Sequence, residues 1–169
     1  MIKQTQKNKW LTIIGCGTEG YDALTNHAKA AIVNAKHLLG SSRQLDLIPE
    51  DKSPQAIREI WPSPMMPRIK EIAEQKIKNT VIIASGDPQC WGIGQHFSEH
   101  ILQEEFECFP SVSILSRIAN IMNWPTATTA SLSLCSQPIE ALSLYLQTNQ
   151  NLILLSSGSE TPLKVAELL

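Results

Sequence analysis

What this chain lacks narrows what it can be. No block of lysine and arginine interrupts it, and its net charge is −2, so a surface that tracks nucleic-acid phosphates is not indicated. No apolar run is long enough to span a bilayer, and the opening MIKQTQKNKW is polar where a signal peptide is apolar. The expected location is therefore cytoplasmic. The four cysteines, Cys16, Cys90, Cys108 and Cys135, include no Cys-x-x-Cys pair, which argues against a zinc knuckle or a disulfide framework. They read mostly as small buried hydrophobes. Internal repeats and low-complexity segments are missing too. What remains, 169 residues with 43% hydrophobic and 18% charged, describes a globular chain able to bury a real core, as one medium domain or two small ones. Small molecules are the expected partners.

The most informative stretch is VIIASGDPQCWGIG, from Val81 to Gly94. Val81 to Ala84 form an unbroken apolar run, the pattern of a strand buried on both faces in a parallel sheet. Ser85, Gly86, Asp87 and Pro88 then follow at the strand's carboxyl end, where open α/β sheets bind ligands. Gly86 permits close approach of a ligand to the main chain. An ordinary strand-turn-helix connection has the same turn chemistry, so the motif needs its context.

Taken in order, residues 1 to 9 read as a polar arm and Trp10 to Ile14 as a first strand. Gly15-Cys16-Gly17-Thr18-Glu19-Gly20 matches the dinucleotide fingerprint, in which a helix N-terminus receives a pyrophosphate. The periodic positions Ala28, Ala31, Ile32 and Ala35, with Thr25 as N-cap, place the helix well after Gly20, which argues against that use. Arg43, after a second strand at His37 to Leu39, suits the extra phosphate of NADP, so an NADP oxidoreductase stays as an alternative. Five prolines between Leu45 and Pro67 predict loops around one short helix near Gln55 to Ile60. Ile69, Ile72, Ala73 and Ile77 mark a helix leading to the central strand. His96-Phe97-Ser98-Glu99-His100 spells an inverted zinc-protease motif, but a third ligand is not signalled, and Ile93, Phe97 and Ile101 claim the helix's core face.

Phe106 to Phe109 reads as a strand, and Pro110 opens a second block. There Val112, Leu115, Ala119 and Met122 mark a helix face, and Ala130, Leu132 and Leu134 alternate with polar residues as in a half-buried strand. A helix follows Pro138 with Ile139, Leu142 and Leu146 inward, then a strand at Asn151 to Leu155 and a last helix with Thr161 as N-cap and Pro162 in its first turn. The alternation of strands and helices predicts an α/β fold with a mostly parallel N-terminal sheet over residues 1–109 and a smaller, incomplete α/β domain over 110–169.

LTIIGCGTEGYDALT, the WPSP at 61–64, SGDPQCWGIG, FPSVSILSRIANIMNWP, SLSLCSQP and LILLSSGSETPLKVAELL together resemble the tetrapyrrole (corrin/porphyrin) methylase family. Within it the resemblance is to enzymes of cobalamin synthesis that methylate precorrin C-5, and most to the methylating N-terminal half of the fused precorrin-6Y methyltransferase that also decarboxylates. The resemblance implies two α/β domains, with S-adenosylmethionine in the cleft between them, S-adenosylhomocysteine as its product, and a precorrin in an adjacent trough. It assigns cofactor contacts to Thr18, Ser85, Gly86, Asp87, Cys90, Ser113, Ile114, Leu155 and Ser156, and a trough border to Gly15 and Gly17. Arg43 and Arg117 are candidate clamps for precorrin carboxylates. No catalytic side chain and no metal are implied, because positioning a sulfonium methyl against an electron-rich carbon supplies much of the rate.

The sequence departs from that family in two places. Cys135-Ser136-Gln137 stand where the family has His-Gly-Arg, and further strands are expected beyond Leu169. Both features make a truncated, catalytically impaired relative the second reading. The resemblance implies a homodimer, and a separate decarboxylating methyltransferase subunit as a further candidate partner.

Overall fold

The computed structural model describes residues 9–169; of the expected polar arm, residues 1–8 lie outside the described residues. The chain divides into two compact units, one through Ser113 and one over Ile114–Leu169.

The first unit is built on a five-stranded, wholly parallel sheet. Its strands are β1 (Leu11–Cys16), β2 (His37–Gly40), β3 (Ile57–Ile60), β4 (Thr80–Ser85) and β5 (Phe106–Phe109), in the spatial order β3-β2-β4-β1-β5. The two central strands, β1 and β4, pair from Leu11↔Thr80 to Cys16↔Ser85. Their apolar runs have the reason the sequence suggested: both sheet faces are covered, so Ile13, Ile14, Val81, Ile82 and Ile83 are all essentially inaccessible. Burying each such side chain contributes roughly 1.5–3 kcal/mol.

Two separate cores identify the two covers. On one face Ile14, Leu38, Val81 and Ile83 pack with Ala28 and Ile32 of α1 (Asn26–Val33) and with Leu45 of α2 (Ser42–Asp46). On the other, Ile13, Leu39 and Ile82 pack with Ile69, Ile72 and Ala73 of α3 (Met66–Gln75) and Phe97 of α4 (Ile93–Ser98). Thr25 caps α1, its hydroxyl accepting the Ala28 N–H at 3.3 Å, so the helix begins at Asn26, well beyond Gly20 and after one 3-10 turn over Gly20–Ala23.

The second unit pairs β6 (Thr129–Ser133) with β7 (Asn151–Leu155), again in parallel. Leu132, Leu134 and Leu142 form its small core, with Leu152, Leu154 and Val165 packed around them. α5 (Ile114–Ile121) packs against β7, and α6 (Thr161–Leu168) closes the chain.

Several local expectations are corrected. The helix expected near Gln55 to Ile60 is the edge strand β3, and α2 was not foreseen. Strand geometry wins at β3 because it sends Arg58 and Glu59 to opposite faces, where each finds a partner. Arg58 donates to the carbonyls of Leu45 and Ile48 and to Ser53 Oγ, closing off α2's carboxyl end, while Glu59 takes a two-pronged bond from Arg68 of α3 at 2.7 and 2.8 Å. α3 stops at Gln75 because Lys76 turns left-handed (φ 46°), which leaves Ile77 outside it. In α5 only Ala119 is buried, and Val112 and Met122 are exposed. The segment after Pro138 is a 3-10 helix, with Leu142 buried and Leu146 exposed. Ser133 of β6 is buried despite its expected polar face. Glu160 occupies the N-cap of α6, and Thr161 lies inside its first turn. Of the cysteines only Cys16 is buried; Cys90 and Cys108 are intermediate and Cys135 is exposed.

Candidate functional site

The sheet itself creates a switch point. β1 leads into α1 on one face, while its neighbour β4 leads into α4 on the other, so the chain leaves the carboxyl ends of two adjacent strands in opposite directions. The crevice left between such diverging connections is where open α/β sheets bind ligands. Gly15, Gly17 and Thr18 lie at the end of β1; Ser85, Gly86, Asp87 and Cys90 at the end of β4; Arg43 after β2; and Ser113 after β5. The first unit therefore gathers nine of the thirteen expected residues on one edge.

Main chain holds this edge together. Gly86 donates its N–H to the Cys16 carbonyl and accepts the Ser111 N–H at its own carbonyl, both at 3.1 Å. Its φ of +59° is the left-handed turn that glycine tolerates. Gly15 is equally constrained: a Cβ there would sit 1.8 Å from the Gly86 carbonyl oxygen. The loops after β1, β4 and β5 thus meet backbone to backbone, and Gly86 serves first as their fastener.

Asp87 builds the next turn. One carboxylate oxygen accepts the Gln89 N–H at 2.9 Å and its carbonyl accepts the Cys90 N–H at 3.0 Å, while the other oxygen, Oδ2, has no donor among the described residues. Burial, then the Asp87 carboxylate, pushes the Cys90 thiol up, and a bond with the Ser113 hydroxyl partly offsets this. The same two causes push Cys108, on β5, up to about 11. Both thiols are protonated at neutral pH and are poor nucleophiles. Burial, then Glu19, raises Cys16 as well. Glu19 folds over Gly17, where a Cβ would lie 2.5 Å from its carboxylate.

Ser85 is exposed, and its oxygen accepts from Gln44 Nε2 at 3.0 Å and Arg43 at 3.4 Å. Gln44 and Cys108 were missed at the sequence level. Gln44 was signalled by the Ser41-x-x-Gln44 capping box, which is present in full; nothing local signals that Cys108 approaches Asp87.

The other four expected residues belong to the second unit. Ile114 and Arg117 are on α5; Leu155 ends β7 and Ser156 follows it. The Cys135 thiol donates to the Ser156 carbonyl at 3.3 Å. Ser156 Oγ turns back to the Gly158 carbonyl at 2.6 Å.

His96 lies in α4, but the helix ends at Ser98 before reaching His100, so the two histidines do not share a helix face. Among the described residues no group of three His, Cys, Asp or Glu is placed to hold a metal. No helix among them is long and apolar enough to cross a membrane.

These features define a parallel α/β protein whose candidate edge is main chain, small residues and the half-satisfied Asp87 carboxylate. Residues 10–169 match the model of the Tetrapyrrole (Corrin/Porphyrin) Methylases, and the chain belongs to that family. It is 29% identical over 160 residues to the decarboxylating precorrin-6Y C(5,15)-methyltransferase of a Sinorhizobium species, covering 95% of this chain and 38% of that protein. It is 31% identical over 103 residues to the cobalt-precorrin-7 C(5)-methyltransferase of Salmonella typhimurium, covering 61% of this chain and 50% of that protein. The chain therefore spans half or less of these curated relatives. Among solved structures, the precorrin-6Y methylase of Archaeoglobus fulgidus superposes with a TM-score of 0.71 at 23% identity, over 94% of this chain and 78% of that one. That likeness establishes the shared fold.

Proposed function

We propose that this chain is a precorrin C-methyltransferase of cobalamin biosynthesis, acting at C-5 with S-adenosylmethionine as methyl donor. The observation that carries this reading is what the two kinds of relative have in common. One is named for C-5 and C-15 together and the other for C-5 alone; the activity common to both names is methylation at C-5.

The residues present fit the cofactor. An edge built of small residues and closely meeting main chain at Gly15, Gly86 and Ser111 suits a ligand read largely through backbone groups. The free oxygen of Asp87 suits the ammonium or a ribose hydroxyl of a cationic ligand. Bound there, S-adenosylmethionine supplies an electrophilic methyl group. The protein's part is to align that group with the ring carbon and exclude water. Ser85, Gly86, Asp87, Cys90, Thr18 and Ser113 are the proposed contacts from the first unit, with Gly15, Gly17 and Arg43 toward the precorrin. Ile114, Leu155, Ser156 and Arg117 are proposed from the family resemblance alone. We further propose a cytoplasmic homodimer, over domains divided near residue 110.

Calorimetry of the purified chain with S-adenosylhomocysteine tests the central point. Saturable binding supports the reading, whereas no heat at millimolar ligand counts against it. A monomer in light scattering across micromolar concentrations would refute the dimer.

A further inference from the structure

The side-chain amide of Gln44 is fixed at both ends. Its Oε1 accepts the Ser41 N–H at 2.7 Å, which assigns Nε2 to the other side, where it donates to Ser85 Oγ at 3.0 Å. The Arg43 guanidinium donates to the same oxygen at 3.4 Å. A serine hydroxyl has two lone pairs and one proton. Both lone pairs of Ser85 are thus engaged from α2, and no acceptor among the described residues takes the proton. Arg43 itself is exposed and has no carboxylate partner among the described residues.

We propose that Gln44 and Arg43 are positioning residues that make Ser85 an obligate hydrogen-bond donor toward a carboxylate of the bound ligand. The chemistry selects an anionic acceptor. A hydroxyl whose lone pairs are filled can only give, and the adjacent unpaired guanidinium adds positive charge beside it. Asp87, two residues on, offers the opposite sign. A ligand carrying both an ammonium and a carboxylate matches that order, and so does the rim of a polycarboxylate ring next to a cationic cofactor. This inference rests on the methyltransferase reading for the ligand's identity; the polarity of Ser85 does not.

Gln44→Glu tests it. A glutamate keeps the capping bond to the Ser41 N–H but replaces the amide donor facing Ser85 with an acceptor. The Ser85 proton then turns inward to the glutamate, and the lone pair that Arg43 does not hold faces the ligand. Ser85→Ala removes the hydroxyl outright and serves as the second variant. Calorimetry of the full chain would use S-adenosylhomocysteine, 5′-methylthioadenosine, which lacks the carboxylate, and uroporphyrin, a polycarboxylate ring.

If the carboxylate is the cofactor's, both variants lose roughly ten- to a hundredfold in S-adenosylhomocysteine affinity, keep that for methylthioadenosine, and melt like the parent. If it is the tetrapyrrole's, the same loss moves to uroporphyrin. The double variant should be no weaker than Ser85→Ala alone. Unchanged affinities in both variants overturn the inference, as does a loss in Ser85→Ala that Gln44→Glu does not reproduce. Failure of the parent chain to bind S-adenosylhomocysteine or uroporphyrin would overturn the methyltransferase reading itself, and this inference with it.

Discussion

Gly15 and Gly158 pose opposite cases of one residue type. A side chain at Gly15 would overlap the Gly86 carbonyl at 1.8 Å, and that carbonyl is held by Ser111, so neither backbone can yield cheaply. Gly158 has nothing within 4 Å. Gly15→Ala should cost about 3 kcal/mol or more in urea unfolding, and Gly158→Ala about 0.5 kcal/mol or less. The thiols give a second prediction. Cys135 is exposed, whereas Cys16 is buried and Cys108 has a thiol raised to about 11 by its surroundings. Alkylation at neutral pH, followed by mass spectrometry, should label Cys135 first and leave Cys16 and Cys108 unlabelled until the chain is unfolded. At this scale the sequence marked Gly86 and Asp87 as special by type and place. It could not mark Gln44 as reaching Ser85, because that contact joins residues 41 positions apart.

Among the elements, β3 depends most on charge. Its position at the sheet edge leaves Ile57 and Ile60 exposed, so partners for Arg58 and Glu59 replace much of the usual burial. The Arg68 guanidinium beside Glu59 holds its carboxyl below the ordinary value of 4.5. A depressed carboxyl contributes stability above its unfolded-state value and loses it as pH falls through the folded one. Glu59→Gln should therefore cost about 1–2 kcal/mol at pH 7. The difference from the parent should vanish in acid, once Glu59 is protonated in both folded and unfolded chains; a difference independent of pH would contradict the ion pair's role. β3 also shows why a local pattern misled. Ile-Arg-Glu-Ile carries no strand alternation of apolar residues; pairing with β2 and the distant partners of Arg58 and Glu59 make an extended conformation favourable there.

For the whole molecule, the two units differ in how much apolar surface they bury. The first has two large cores flanking its sheet, and the second has one small cluster, Leu132, Leu134 and Leu142, around one strand pair. Local stability follows such packing. Amide hydrogen exchange should be slowest at Ile13, Ile82 and Ile83 and markedly faster along β6 and β7; equal protection of the two sheets would contradict this ledger of burial. The apolar residues of α6 extend the contrast, since Leu163, Leu168 and Leu169 are exposed and only Val165 joins the second core. Such surface favours association, consistent with the proposed dimer.

The sequence by itself determined the buried parallel strands, the capped helix α1 and the tight turn after β4. Those features rest on unbroken apolar runs, a threonine cap and Gly-Asp-Pro chemistry, which act within a few residues of themselves. The tertiary structure alone decided that β3 is a strand, that the loops after β1, β4 and β5 are laced through Gly86, and that Gln44 and Arg43 reach the Ser85 hydroxyl. Each of these needs a partner distant in the chain to fill a lone pair, accept an N–H or exclude a Cβ, and such partners meet only once the sheet has set its strand order.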